Sequence, residues 1–236
     1  MTKLEKIGTL TFPIVFQEGG RISSGASSLE IGAVIESNLS VLRNPANGEP
    51  YVPGSSLKGK IRCTAERIAG KIGPRGEPHG QNCEEQNCVI CQVFGPHKNT
   101  RSQCGPTRIT ARDAYFTEAY RAVYEGRERD NQPVLEEKSE NTIDRDRGTA
   151  GNPRTMERLL PGAAFAGVLV LRIYQGDDKD EFVKTILQAM RVIQEGDSIG
   201  AGGSRGSGHV KFENVKICWQ DVSKMTMPFT ETEECA

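Results

Sequence analysis

Apolar and polar residues alternate through "TLTFPIVF". Leu10, Phe12, Ile14 and Phe16 fall on one side, which predicts a half-buried strand, and Pro13 suggests an edge position. After Ser55 the period changes. Leu57, Ile61, Thr64 or Ala65, Ile68 and Ile72 recur every three or four residues, predicting a helix with Ser55 as its N-cap. The opposite face carries Lys58, Lys60, Arg62, Arg67 and Lys71. "TRITARDAYF" and the strongly apolar "AFAGVLVLRIY" read as strands. A second helix follows, with Phe182, Ile186, Leu187, Met190 and Ile193 on one face and Gly196 closing it. A glycine-rich loop, "GDSIGAGGSRGSG", leads into a last strand, "HVKFENVKICW". The order strand, helix, strand, strand, helix, strand is that of an α+β, ferredoxin-like fold.

Three polar stretches interrupt this order. Residues 17–55 contain only a short strand candidate, "LEIGAVIE". Residues 73–106 are irregular and hold Cys83, Cys88, Cys91 and Cys104. Residues 117–160 are the most polar, as expected of a projecting arm or hairpin.

At 236 residues the chain suits one elaborated domain or two small ones. No run of about 18 apolar residues occurs and the N-terminus lacks a secretory core, so the cytoplasm is the expected location. Seven cysteines there read as metal ligands or buried thiols rather than disulfides, with Cys63 and Cys218 expected in the core. A net charge of −1 argues against gripping nucleic acid with the whole surface but leaves room for a local basic groove.

"HGQNCEEQNCVICQ" sets His79, Cys83, Cys88 and Cys91 at spacings that suit a closed, structural tetrahedral zinc site; Cys104 is an alternative to His79. "PYVPGSSLKGKIR" lacks the phosphate-loop pattern, yet gathers Ser55, Ser56, Lys58, Lys60 and Arg62 at a helix start. The glycine loop serves either tight turning or close approach to a phosphate chain; beside the lysine-rich helix start, a shared phosphate groove is the better account. In "ENTIDRDRGTAGNPRTMER" two readings stay open: a solvated arm with self-paired charges, or RNA contact through groups such as Arg145 and Arg154. Hydrolase signatures are absent; among the three histidines, His209 and His97 are the candidates for a general base.

These motifs, in this order, resemble the repeated backbone subunit of type III CRISPR effector complexes in the RAMP superfamily, most of all the type III-A version. The resemblance spans nearly the whole chain. It implies a ferredoxin-like, RRM-related palm forming a single domain, a zinc-bearing insertion at about 73–106 and a thumb-like hairpin at about 115–155. It also implies copies stacked along a guide CRISPR RNA beside other subunits, with each thumb interrupting the guide–target duplex. By position Ser55, Ser56, Lys58, Lys60 and Arg62 match guide-backbone contacts, and Gly203, Ser204, Arg205 and Gly206 match a second phosphate contact. The family cleaves target RNA with a divalent metal, Mg²⁺ or Mn²⁺. Its catalytic aspartate falls on Asn38 here, with Glu36 two residues earlier as a possible substitute. Asparagine lacks the charge to hold the metal, so impaired cleavage is expected. A non-catalytic scaffold and a guide-processing RNase are the alternatives.

Overall fold

The computed structural model describes residues 3–23, 39–81, 83–85, 87–99 and 101–225; Glu36, Asn38 and "LEIGAVIE" lie outside them. Strand β1 (Leu4–Phe16) leads to helix α1 (Gly54–Ile68), the short helix α2 (Val89–Phe94) and strand β2 (Ile109–Ala111). Helix α3 (Glu118–Arg129), a hairpin of β3 (Leu135–Asp144) and β4 (Thr149–Leu159), and β5 (Ala164–Tyr174) follow. Helix α4 (Lys179–Gly196), β6 (Val210–Phe212) and β7 (Lys216–Asp221) complete the described elements.

The main sheet is antiparallel, in the order β2-β5-β1-β6, with β7 also paired to β1. Its alternation buries Leu10, Phe12, Ile14 and Phe16 of β1 with Phe165, Leu169 and Leu171 of β5. Leu57 and Ile61 of α1 and Phe182, Ile186 and Ile193 of α4 join them in one core. Each such side chain contributes about 1.5–3 kcal/mol on leaving water. At Gly167 a Cβ would collide with the Phe12 ring, so this glycine admits the aromatic between the layers.

Several expectations change. Pro13 lies in a central strand, not at an edge. Strand β6 pairs with Ile14–Phe16 and β7 with Lys6–Thr11, so Pro13 falls in the interval between them and no ladder bond needs its missing N–H. The expected last strand is therefore two, turning at Asn214 with φ 44°. Helix α1 begins one residue early, at Gly54, after Pro53; the Gly54 N–H donates to Asp113 Oδ1 at 2.7 Å, so Ser55 is not the cap. Ile68, Ile72 and Leu187 are exposed, and so is Cys218. Helix α3 was not expected: only Tyr124 is buried, but Thr117 caps it and Tyr120 and Tyr124 pack on Phe116 with centroids 5.0 Å away. No helix among the described residues is long and apolar enough to cross a membrane.

Register fixes where the functional candidates meet. Phe16 ends β1 opposite Val210, and Val15 faces Ala164, the first residue of β5. The glycine loop and the hairpin base therefore gather at one end of the sheet, and α1 is tied to that loop through Lys60 and Asp197. The cysteine-bearing insertion packs instead on the later turns of α1, through Glu66 and Lys71.

Candidate functional site

The insertion brings its four expected ligands together. The ligand atoms of His79, Cys83, Cys88 and Cys91 lie within 4.8 Å of one another, with His79 Nε2 3.3 Å from Cys88 Sγ. A tetrahedral zinc with 2.3 Å bonds to sulfur needs sulfurs about 3.8 Å apart, so a contraction of about 1 Å closes the shell. Burial, then the neighbouring Cys88, push the Cys91 thiol far above its ordinary range. Burial, and then Lys71, lower the His79 imidazole and favour the neutral form a metal requires. Cys104, the alternative ligand, is buried but falls outside this group.

The cations that border the insertion are engaged internally. Arg62 Nε pairs with Glu66 Oε1 at 2.7 Å, and its Nη2 donates to the His79 carbonyl at 2.6 Å. Glu66 Oε1 in turn accepts the His79 N–H at 3.0 Å. Arg62, expected at a phosphate, thus clamps both sides of a ligand's backbone. Lys71 pairs with Glu85 and lies 3.4 Å from Cys88 Sγ. At the far end of the insertion, buried Arg108 pairs with Asp177 through both nitrogens (2.8 and 3.0 Å) and donates to the Cys104 and Pro106 carbonyls.

The glycine loop is pinned against the hairpin. Gly200 and Gly208 have positive φ, and a Cβ on either would strike the Arg21 or Ile199 carbonyl, so turning and close packing both require them. Arg158 joins the parts: it holds Glu136 of β3 at 2.7 Å and donates to the Gly206 carbonyl (2.9 Å) and Ser207 Oγ (3.0 Å). Lys138 Nζ donates to the Arg205 carbonyl at 3.0 Å. Between them opens a groove of about 770 Å³ lined by Lys138, Glu140, Ile143, Arg145, Arg154 and Arg205.

Its charge is unbalanced. Glu140 alone receives Arg154 (3.2 Å), Arg205 (3.3 Å) and Lys138 (3.7 Å). Burial works to raise the Glu140 carboxyl, but Arg154 and Arg205 outweigh it and hold it below the usual range. Burial, then Arg154, destabilise the Arg21 guanidinium nearby. Lys138, Arg21 and Glu140 were missed in the sequence because nothing local marks them; the register of β3 with β4 sets Glu140 opposite Arg154. Gly203, Ser204 and Gly206 are exposed beside Arg205, in and just after a 3₁₀ turn.

At the start of α1, Ser55 is exposed and Ser56 half-buried, and their N–H groups have no hydrogen-bond partner among the described residues. Lys58 is half-buried; burial, then Arg62 and Arg172, disfavour its charge, a cost an anion would offset. Lys60 instead pairs with Asp197 at 2.6 Å, at the base of the glycine loop, tying the helix to that loop. His209 Nε2 sits 3.0 Å from the Gln194 carbonyl, an engagement that suits a structural role.

A family model described as the RAMP superfamily matches residues 19–211. Over 213 residues the chain is 39% identical to "CRISPR system Cms endoribonuclease Csm3" of Methanocaldococcus jannaschii, covering 86% of this chain and 77% of that protein. The protein of the same name from Methanothermobacter thermautotrophicus is 31% identical over 229 residues, covering 91% and 87%. Among solved structures, a Csm3–Csm4 subcomplex of the type III-A CRISPR–Cas interference complex aligns with a TM-score of 0.59 at 27% identity, covering 94% of this chain and 83% of that one.

Proposed function

The chain belongs to the RAMP superfamily and to its Csm3 branch, and from that premise we propose that it is a guide-RNA-binding backbone subunit of a type III CRISPR effector complex. The observation that carries this is the basic groove, where three cations from the hairpin and the glycine loop converge on one carboxylate and Arg145 lines the wall beside them. A guide of arbitrary sequence has to be held through phosphate and sugar, and such a groove offers charge without a base-reading pattern. The free amide groups at the start of α1, with Lys58, supply a second contact on the same strand. Stacked copies, other effector subunits and target RNA complete the assembly.

The strand order β2-β5-β1-β6 supports a ferredoxin-like palm. The His79/Cys83/Cys88/Cys91 group supports a structural Zn²⁺, which orders a loop that has little core of its own. The β3–β4 hairpin acts as the thumb. Ile143, 66% exposed near its tip, is the apolar wedge that separates neighbouring base steps.

Cleavage is impaired because Asn38 stands at the carboxylate position and holds Mg²⁺ or Mn²⁺ poorly. Leu39, the next residue and the first described there, offers its carbonyl to the Glu157 N–H at 2.9 Å, at the base of the thumb. The reading is tested in the assembled complex. Asn38→Asp should create metal-dependent cleavage of target RNA at regular intervals, and no gain would leave a pure scaffold. RNA recovered with the native complex should carry guide sequences; none would remove the assignment.

A further inference from the structure

The chain has a partly exposed aromatic pair, outside the groove and the His79/Cys83/Cys88/Cys91 group. Val52 and Ala114 form an antiparallel bridge and are fully buried. Alternation therefore turns the next cross-strand pair, Tyr51 and Tyr115, to the opposite side. Their rings stack, with centroids 5.8 Å apart and planes at 26°. Other aromatics are packed away: Phe116 gathers Tyr120, Tyr124 and Phe165, and Trp219 lies under Lys179 and over Gly8. Tyr115, by contrast, exposes 42% of its surface and is the one aromatic among the exposed large apolar residues described.

The position of the pair points to its occupant. Tyr51 is two residues before Pro53, the N-cap of α1, so about 7 Å of extended chain separates it from the helix tip. That is about two stacked-base steps of 3.4 Å. On the opposite strand Asp113, two residues from Tyr115, holds the first amide of the helix. Lys58 follows four residues after Gly54 in the same helix, and Arg112, next to Asp113, is exposed. An aromatic surface beside open amides and cations suits a polymer that is flat and apolar at one point and anionic at the next. A protein partner with an apolar patch would leave those cations unanswered.

We infer that Tyr51 and Tyr115 form a stacking platform for one nucleobase of the bound RNA strand, adjoining the phosphate contact at the start of α1. Every base has a π face, so the platform adds affinity without sequence preference. This rests on the RNA-binding reading and extends it from the sugar-phosphate chain to the bases.

The test measures anisotropy of the full-length chain with two probes: a short fluorescein-labelled oligoadenylate, and an abasic ribose-phosphate oligomer of equal length. The intact protein should bind the oligoadenylate about tenfold more tightly than the abasic oligomer. Tyr115→Ala should erase that preference while leaving abasic binding and thermal melting unchanged, and Tyr115→Phe should keep it. Equal binding of the two probes by the intact protein overturns the platform but leaves the phosphate contacts standing. So does a preference that survives Tyr115→Ala or is lost in Tyr115→Phe. If neither probe binds, the platform and the RNA-binding reading fall together.

Discussion

The borders of the cysteine-bearing insertion and the hairpin groove both gather cations, yet they settle their charges in opposite ways. At the borders of the insertion each cation that grips it has its own acceptors: Arg62 of α1 has Glu66 and the His79 carbonyl, Lys71 has Glu85, and Arg108 has Asp177. In the groove three cations share Glu140, and Arg145 lines the wall beside them. A cation matched one-to-one inside the protein positions structure, because breaking its pair to reach a ligand costs what the ligand returns. Cations crowded on one acid repel each other, and an incoming phosphate relieves that repulsion. Sequence position had put Arg62 and Arg205 in one class; their partners separate them.

The contrast can be broken at several points. The largest effect is expected at the His79/Cys83/Cys88/Cys91 group, if it holds the proposed zinc. Cys88→Ser should abolish zinc retention, with a loss on the order of 10 kcal/mol of metal-binding free energy, and expose residues 73–106 to protease. Elemental analysis beside limited proteolysis checks it. Next is the buried pair closing the insertion. Asp177→Ala strands the Arg108 guanidinium and should cost about 3–5 kcal/mol in a urea titration, with zinc content unchanged. In the groove, Arg205→Ala should leave stability within about 0.5 kcal/mol but weaken RNA binding about tenfold. It should also reduce the slope of log affinity against log salt by about 0.7.

The smallest effect is the tie between α1 and the glycine loop. Burial opposes ionisation of Asp197, but the Lys60 hydrogen bond and charge hold its carboxyl below the usual range. A depressed folded-state value stabilises fully above the unfolded value near 3.9 and is lost as pH falls through the folded value. Asp197→Asn should therefore cost up to about 1 kcal/mol at pH 7, and the cost should shrink as pH falls below the unfolded value, as read from denaturant midpoints.

What the sequence made legible follows the range of each interaction. Strand β5 and the buried face of α4 were readable because apolar periodicity is local, and the clustering of His79, Cys83, Cys88 and Cys91 because thirteen consecutive residues contain all four. The helix α3 was not, since its stability comes from Phe116 and a threonine cap rather than from an apolar stripe. The start of α1 shifted because its first amide is held by Asp113, 59 residues away. Arg205 and its acceptor Glu140 are 65 residues apart, and neither motif announces the other. Pairings of that length depend on sheet register, which no local pattern specifies.

The central claim is that the groove cations bind RNA because they lack private partners inside the protein. Affinity for a single-stranded RNA of arbitrary sequence tests it most directly, comparing two double variants that remove equal charge. Arg154→Ala with Arg205→Ala takes two cations from the groove, whereas Lys184→Ala with Arg191→Ala takes two that are paired along α4. The account predicts a loss of about a hundredfold for the first and less than about twofold for the second. Equal losses, or none for the groove variant, would contradict it.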